Sequence, residues 1–363
     1  MTTRSALIIG GSGQLGRAAA QELIRHGWKV DLAQRRSRPL DGELADAGVS
    51  TVVLDREDTD AVRAEAAGRD LVLDVVAFTP AHAVQLAGLA DDIGSLVVIS
   101  TGAVYAPLDG PGAAGGPRFP VPLTEDSPTM PEGGRDYGSQ KAAMERLLLG
   151  TEGLPVSILR PGTLHGPHST SLHHWSFIKR VLDKRPHVVL AHDGEARFGT
   201  SAAANVARLV RLCADQPGRR VLNAADDEAL TVAEIGRRVF AAMDHEAEIV
   251  TFHGPAREDG LGFNPWNVPH PVVFAMDEAR RRLGYEPAVT YNEALREDID
   301  WAVSAVEAAE RQGGSWQDVF PGLVARYGSE GWFPYAAEDA YVSSRGDESG
   351  TSHPAMNHGG SQR

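Results

Sequence analysis

Hydrophobic positions in the first half of the chain follow two alternating patterns. Short runs are apolar almost throughout: ALII from Ala6, KVDLA from Lys29, STVVL from Ser50, DLVLDVVA from Asp70 and SLVVIS from Ser95. Between them lie stretches whose apolar residues recur every three or four positions: QLGRAAAQELIRHG from Gln14, DTDAVRAEAAG from Asp58 and PAHAVQLAGLADDIG from Pro80. The first pattern suits strands covered on both faces, the second amphipathic helices. Their alternation over short connections predicts an α/β fold built on a doubly wound parallel sheet.

The regularity stops at Ala106. From there to Asp136 the chain is dense in Gly and Pro and reads as a long irregular loop, either a lid or binding loop or a plain surface insertion. A helix is predicted from about Tyr137 to Leu149, followed by the strand PVSILRP. Beyond Gly166 the stretches SFIKRVLDKR, AAANVARLVRLCADQ, TVAEIGRRVFAAM, MDEARRRLG and NEALREDIDWAVSAVEAAERQ read as helices separated by short strands, a smaller α/β region. The polar, aperiodic stretch from Val342 places a disordered tail over 336–363.

Composition narrows the function classes. The 363 residues carry 35 basic and 49 acidic side chains, net −14, so no basic footprint for nucleic acid is expected. Cys213 is the single cysteine; it excludes an internal disulfide framework, sits in the apolar helix VARLVRLCA as a core residue, and fits a reducing compartment. No signal segment precedes the first strand, and no apolar run approaches the roughly 20 residues needed to span a bilayer. A cytoplasmic protein with no membrane partner is expected.

Four glycines, Gly10, Gly11, Gly13 and Gly16, lie between the first strand and the first helix. There Gly10 permits a tight turn, Gly13 lets backbone approach a pyrophosphate, and Gly16 allows close helix packing. The helix N-terminus then offers unpaired N–H groups and a positive dipole end to the anion. Leu15, Ala19 and Leu23 mark the buried face of that helix. The pattern predicts dinucleotide binding.

The spacing Gly10-x-x-Gly13-x-x-Gly16 resembles that of the extended short-chain dehydrogenase/reductase family, also called the NAD-dependent epimerase/dehydratase family. Further landmarks follow in order: VVISTGAVYAP, the YGSQK match to Tyr-x-x-x-Lys, LRPGTLHGP, ALTVAEIGRRV and RRRLGYEP…ALREDIDW. The resemblance covers roughly residues 5 to 305. It implies a Rossmann-type dinucleotide-binding domain over 1–167, also receiving about 199–226, and a substrate-binding region over 168–198 and 227–335. It implies cofactor contacts from Gly10, Gly13, Gln14, Leu15, Gly16, Gln34, Arg35, Arg36, Asp55, Arg56, Ala77, Phe78, Ser100, Tyr137, Lys141, Pro161 and Thr163.

The end of the second strand departs from the NAD-preferring pattern, which has an acidic residue on the ribose 2′-hydroxyl. Gln34 stands there, followed by Arg35, Arg36 and Arg38. Guanidiniums accept a 2′-phosphate that a carboxylate would repel. NADP(H) is therefore the expected preference, with NAD(H) as the alternative. Asp55 either matches the family position near the adenine or caps the helix starting near Thr59.

Tyr137 and Lys141 sit four apart and share a helix face. An adjacent ammonium favours the phenolate and lowers the tyrosine pKa. The resemblance makes Tyr137 the general acid/base, Lys141 its partner and the holder of the nicotinamide ribose, and Thr101 a hydrogen-bond donor to the reacting oxygen. Gly102 and Ala103 replace the Asp-Glu pair of the sugar 4,6-dehydratases, so that elimination is not expected. Thr163 and His165 stand where sugar-nucleotide members have Asn and Tyr.

Further substrate contacts are expected from His174 and Trp175, beside His173, and from Arg197. For Trp175 a core position is the alternative; for Arg197, a surface ion pair. No H-E-x-x-H or comparable spacing occurs among the thirteen histidines, so no metal is expected. The sequence thus predicts an NAD(P)-dependent oxidoreductase acting on a carbinol or ketone carbon of a small molecule. A sugar (nucleotide) epimerase and a non-catalytic dinucleotide sensor are the alternatives. KAAMERLLL, on the tyrosine-bearing helix, has enough apolar surface for a homodimer or for core packing.

Overall fold

The computed structural model describes residues 3–36, 40, 42–108 and 115–350, without the side chains of 346–350. Arg38, part of the 106–136 loop and the last thirteen residues lie outside the described residues. Alternating elements fill the first half: β1 (Ser5–Ile9), α1 (Gln14–Arg25), β2 (Lys29–Gln34), α2 (Gly42–Asp46), β3 (Ser50–Val53), α3 (Thr59–Ala66), β4 (Leu71–Asp74), α4 (Pro80–Ala87), β5 (Leu96–Ile99), α5 (Tyr137–Gly150) and β6 (Val156–Pro161). The second half holds β7 (Thr163–His165), α6 (Trp175–Leu182), β8 (His187–Leu190), β9 (Thr200–Ala202), α7 (Ala203–Asp215), β10 (Arg220–Ala224), α8 (Val232–Ala242) and β11 (Glu248–Thr251). The last helices are α9 (Asp277–Leu283), α10 (Tyr291–Arg311), α11 (Trp316–Val319), α12 (Pro321–Tyr327) and α13 (Tyr335–Gly350).

Seven strands form one parallel sheet in the order β10-β6-β5-β4-β1-β2-β3. This is a Rossmann-like sheet whose strand order reverses between β1 and β4, the point where such sheets bind ligands beyond their strand ends. The interior strands β1, β4 and β5 are buried almost throughout, which explains their unbroken apolar runs. Cys213 lies in this core. A second core gathers Trp175, Phe177, Trp266, Phe320 and Trp332 with helices α6, α8 and α10. Among the described residues, no helix is long and apolar enough to cross a membrane.

Helix α5 is tied to the sheet by a buried bidentate pair. Arg160 of β6 donates to Glu145, with Nη2 2.6 Å from Oε2 and Nε 3.1 Å from both oxygens. The Arg160 guanidinium also stacks 4.8 Å from the Tyr105 ring, whose hydroxyl donates to Asn223 Oδ1 at 2.5 Å.

The expected disordered tail over 336–363 needs correction over 336–350, which lie in helix α13. Tertiary contacts override the weak local pattern there. Glu338 is fully buried and pairs with Arg180 of α6 at 2.7 Å, Asp339 pairs with Arg185, and Tyr341 packs on Phe252. Removing one partner of a buried ion pair strands the other charge. Glu338→Ala is expected to cost about 3 kcal/mol in denaturant unfolding and to release amide protection across 335–345. Unchanged protection would show that α13 is held by its apolar contacts alone.

Candidate active site

The glycine turn closes β1 onto α1. Gly10 has φ +85°, and a Cβ there would lie 2.8 Å from Val76 Cγ1. A Cβ on Gly16 would lie 2.5 Å from Gly11 Cα and 2.7 Å from Gly10 O, so the helix can sit on the turn only with glycine. Gly13 is the N-cap and supplies no side-chain bond to the first turn. The free N–H groups at this end of α1 fit a pyrophosphate. Leu15 buries its side chain in the core, leaving its backbone for such a ligand, and Gln14 Nε2 donates to Gly166 O at 2.8 Å.

Gln34 is buried at the end of β2, and Arg35 and Arg36 follow it exposed. Asp55 is not the cap of α3; Asp58 is, accepting from Ala61 N at 3.0 Å, while Asp55 accepts from Glu57 N. Arg56 departs from the expected cofactor contact. Its side chain is buried, 2.9 Å from Asp74 and hydrogen-bonded to Gln85, so it is occupied beneath the cleft rather than presented to it.

Thr101, Tyr137 and Lys141 converge beyond the ends of β4 and β5. Asp136 caps α5 by accepting from Ser139 N and Ser139 Oγ, which makes Tyr137 the first helical residue. A Cβ at Gly138 would collide with Ala103 O, so only glycine lets α5 press against the 102–104 turn. That turn begins at Thr101, whose oxygen accepts from Ala103 N at 3.2 Å and whose hydroxyl hydrogen-bonds with the Tyr137 phenol. Lys141 is buried, and Nζ donates to Ala77 O at 2.6 Å and Ile99 O at 2.7 Å. Phe78 lies over the ammonium at 4.7 Å, and Tyr137 flanks it at 6.0 Å. Ser100 Oγ is buried beside them without a hydrogen-bond partner among the described residues, and Pro161 and Thr163 follow at the end of β6.

The tyrosine does not behave as the Tyr-Lys pair alone suggests. Its ring is half-exposed, yet burial of the phenol end raises its pKa above the ordinary value, against the lowering effects of Thr101 and of the Arg326 charge. Burial also brings Lys141 down to about 8, although Asp74 and Glu145 oppose it.

Phe274 fills the space above the catalytic turn. Its ring packs on Gly102 and Gly199, where any Cβ would collide with it, and lies 3.1 Å from the Cβ position of Gly162. A carboxylate side chain at 102 has no room, which gives a physical reason for Gly102. Ala103 is exposed.

Three expected substrate contacts lie inside the protein. Trp175 is fully buried and stacks 5.1 Å from Phe320 in the second core, so the core alternative holds. His165 and His174 are buried as well. His165 Nε2 lies 2.7 Å from Asp226 Oδ2, and its Nδ1 2.9 Å from Asp298 Oδ2. Burial disfavours the imidazolium, but the two carboxylates outweigh it and raise the pKa to about 10. His174 Nε2 meets Tyr291 Oη at 2.7 Å. Neighbouring His173, also buried, is held neutral, with burial and Arg326 bringing it down to about 3. Arg197 is half-exposed; it donates to Ala229 O and lies 3.9 Å from Glu234.

The model of the family described as NAD dependent epimerase/dehydratase matches residues 6–225. The chain belongs to the NAD dependent epimerase/dehydratase family. Solved members of similar fold include a UDP-N-acetylglucosamine 4-epimerase from Methanobrevibacter ruminantium M1, in complex with UDP-N-acetylmuramic acid. It is 19% identical, with TM-score 0.65 over 84% of this chain and 100% of that one. A UDP-glucose 4-epimerase from Thermotoga maritima with UDP-glucose is 19% identical, with TM-score 0.63 over 83% of this chain and 99% of that one. A dTDP-glucose 4,6-dehydratase from Bacillus anthracis str. Ames in complex with NAD is 17% identical, with TM-score 0.62 over 84% and 98%. A protein of Sinorhizobium fredii described as uncharacterized protein y4nG is 23% identical over 334 residues, 86% of this chain and 82% of that one.

The sequence reading singled out none of Phe274, Asp226, Asp298, Tyr291 or Arg326; Asp298 lies within the ALREDIDW landmark, but nothing in its spacing shows that it meets His165. The lysine offers a direct check on the site. A lysine depressed in the folded state binds fewer protons there than in the unfolded chain between about 8 and 10.5, so this term makes stability rise with pH across that window. Lys141→Met is expected to remove a slope of up to about 1.4 kcal/mol per pH unit relative to the parent. Parallel stability curves for the two proteins would refute the buried ammonium.

Proposed function

We propose that the protein is an NAD(P)-dependent oxidoreductase that interconverts a ketone and a secondary carbinol. The convergence of the Thr101 hydroxyl, the Tyr137 phenol and the Lys141 ammonium beyond β4 and β5 carries this reading. A bound nicotinamide would supply or accept the hydride at the substrate carbon. Tyr137 gives its proton to the substrate oxygen during reduction. The Lys141 charge stabilises the phenolate left behind, and the Thr101 O–H donates to the same oxygen.

The departures from the sugar-nucleotide pattern bear on the substrate. Thr163 lacks the reach of an amide, His165 is locked between two aspartates, and Arg197 is already engaged. Phe274 adds an apolar wall above the Thr101 turn. These features support a ketone less polar than a nucleotide sugar. A second reading, sugar epimerisation with retained cofactor, is supported by the fold shared with UDP-sugar 4-epimerases. For the cofactor we favour NADP(H), because Gln34 replaces an acidic residue and Arg35 and Arg36 stand exposed beside it.

Against a panel of ketones and UDP-sugars, a reductase consumes one reduced cofactor per product, whereas an epimerase converts substrate with no net consumption. Tyr137→Phe is expected to lower turnover about 10³-fold while cofactor binding stays within about twofold. Wild-type-like turnover in that variant would end the catalytic reading. The double variant Arg35→Ala/Arg36→Ala should weaken NADPH about tenfold and leave NADH nearly unchanged by fluorescence titration. Equal losses for both cofactors would overturn the NADP preference.

A further inference from the structure

We propose that His165, His174 and Asp298 form a closed, buried site for a transition-metal ion of the zinc class. The three donors come from strand β7, the residue before α6 and the middle of α10. One ligand atom from each lies within 4.8 Å of the others, and all three side chains are buried. His165 Nδ1 is 2.9 Å and His174 Nδ1 is 3.0 Å from the same oxygen, Asp298 Oδ2.

The surroundings match what a metal-bound histidine requires. Such a ring turns one nitrogen to the ion and is oriented by a partner on the other. Here both rings turn Nδ1 inward. Asp226 Oδ2 meets His165 Nε2 at 2.7 Å, and Tyr291 Oη meets His174 Nε2 at 2.7 Å. Asp226 is itself fixed by Thr200 Oγ1, Ala202 N and Asn205 Nδ2.

Two polar atoms remain without a hydrogen bond among the described residues. They are His174 Nδ1, which lies close to Asp298 but is misaligned for donation, and Asp298 Oδ1. An ion at the centre uses both. A divalent ion there also offsets the charge of the two buried carboxylates, Asp226 and Asp298. Two imidazole nitrogens and one carboxylate suit zinc or its first-row neighbours, not the oxygen cages of calcium or magnesium. The second oxygen of Asp298 or one water completes the shell. With no solvent opening, the ion acts as a staple joining β7, beside the candidate active site, to α6 and α10. Sequence spacing hides this set because its members are scattered along the chain.

The test uses the full-length protein, stripped by a chelator and reloaded with Co²⁺ or Zn²⁺. Expected are about one equivalent of metal per chain, visible Co²⁺ ligand-field bands of a tetrahedral site, and a thermal midpoint that falls on stripping and recovers with Zn²⁺. His174→Gln and Asp298→Asn should abolish the bands. Tyr291→Phe should retain them with affinity lowered about 10–100-fold. Replacing His353 and His358, the two histidines of the C-terminal stretch after Val342, by Ala should change nothing. Absent bands in the parent protein, bands that survive His174→Gln, or bands lost with His353 and His358 would each overturn the proposal. Should a variant fail to fold, the spectrum of the intact protein decides. None of these readouts depends on the oxidoreductase reading.

Discussion

A single ammonium anchors the candidate active site. Lys141 reaches down from α5 to the carbonyls of Ala77 and Ile99, one beyond β4 and one at the end of β5. Those two hydrogen bonds fix the first turn of α5 against the strand ends, and Tyr137 on that turn has little freedom left. Other contacts serve the same placement: the Gly138–Ala103 approach brings helix and turn together, and the Arg160–Glu145 pair fastens the helix to β6. Burying a cation is costly unless it is hydrogen-bonded. The sheet supplies these oxygens at the ends of β4 and β5, next to the point where its strand order reverses.

The second half of the chain packs against this cluster. It contributes Phe274 above Gly102, and the Arg326 charge that acts on both Tyr137 and His173. It also contributes the buried aspartates around His165. This region has its own aromatic core and is closed by α13 through Arg180 and Glu338.

Much of the sheet was legible from sequence because a strand covered on both faces leaves an unbroken apolar run. The glycine turn and Tyr137–Lys141 were legible because local geometry restricts residue choice. The fate of His165, His174 and Trp175 was not. A histidine or tryptophan in a loop looks the same whether it faces a ligand or a core, and only the packing of α10 and α12 against that loop decides. Helix α13 was missed for a related reason: its stability comes from distant arginines rather than from its own periodicity. The phenol pKa also ran opposite to expectation, since burial outweighs the Thr101 hydrogen bond and the Arg326 charge.

The ring of Phe274, resting on bare α-carbons, couples three loops through one side chain. Alterations of active-site volume are therefore easier to make at the aromatic residue than beneath it. A smaller residue at 274 leaves the backbone of all three loops unstrained, whereas a Cβ at Gly102 or Gly199 would meet the ring itself and one at Gly162 the Gly199 carbonyl. Position 274 is thus the least disruptive place to change the volume above Gly102.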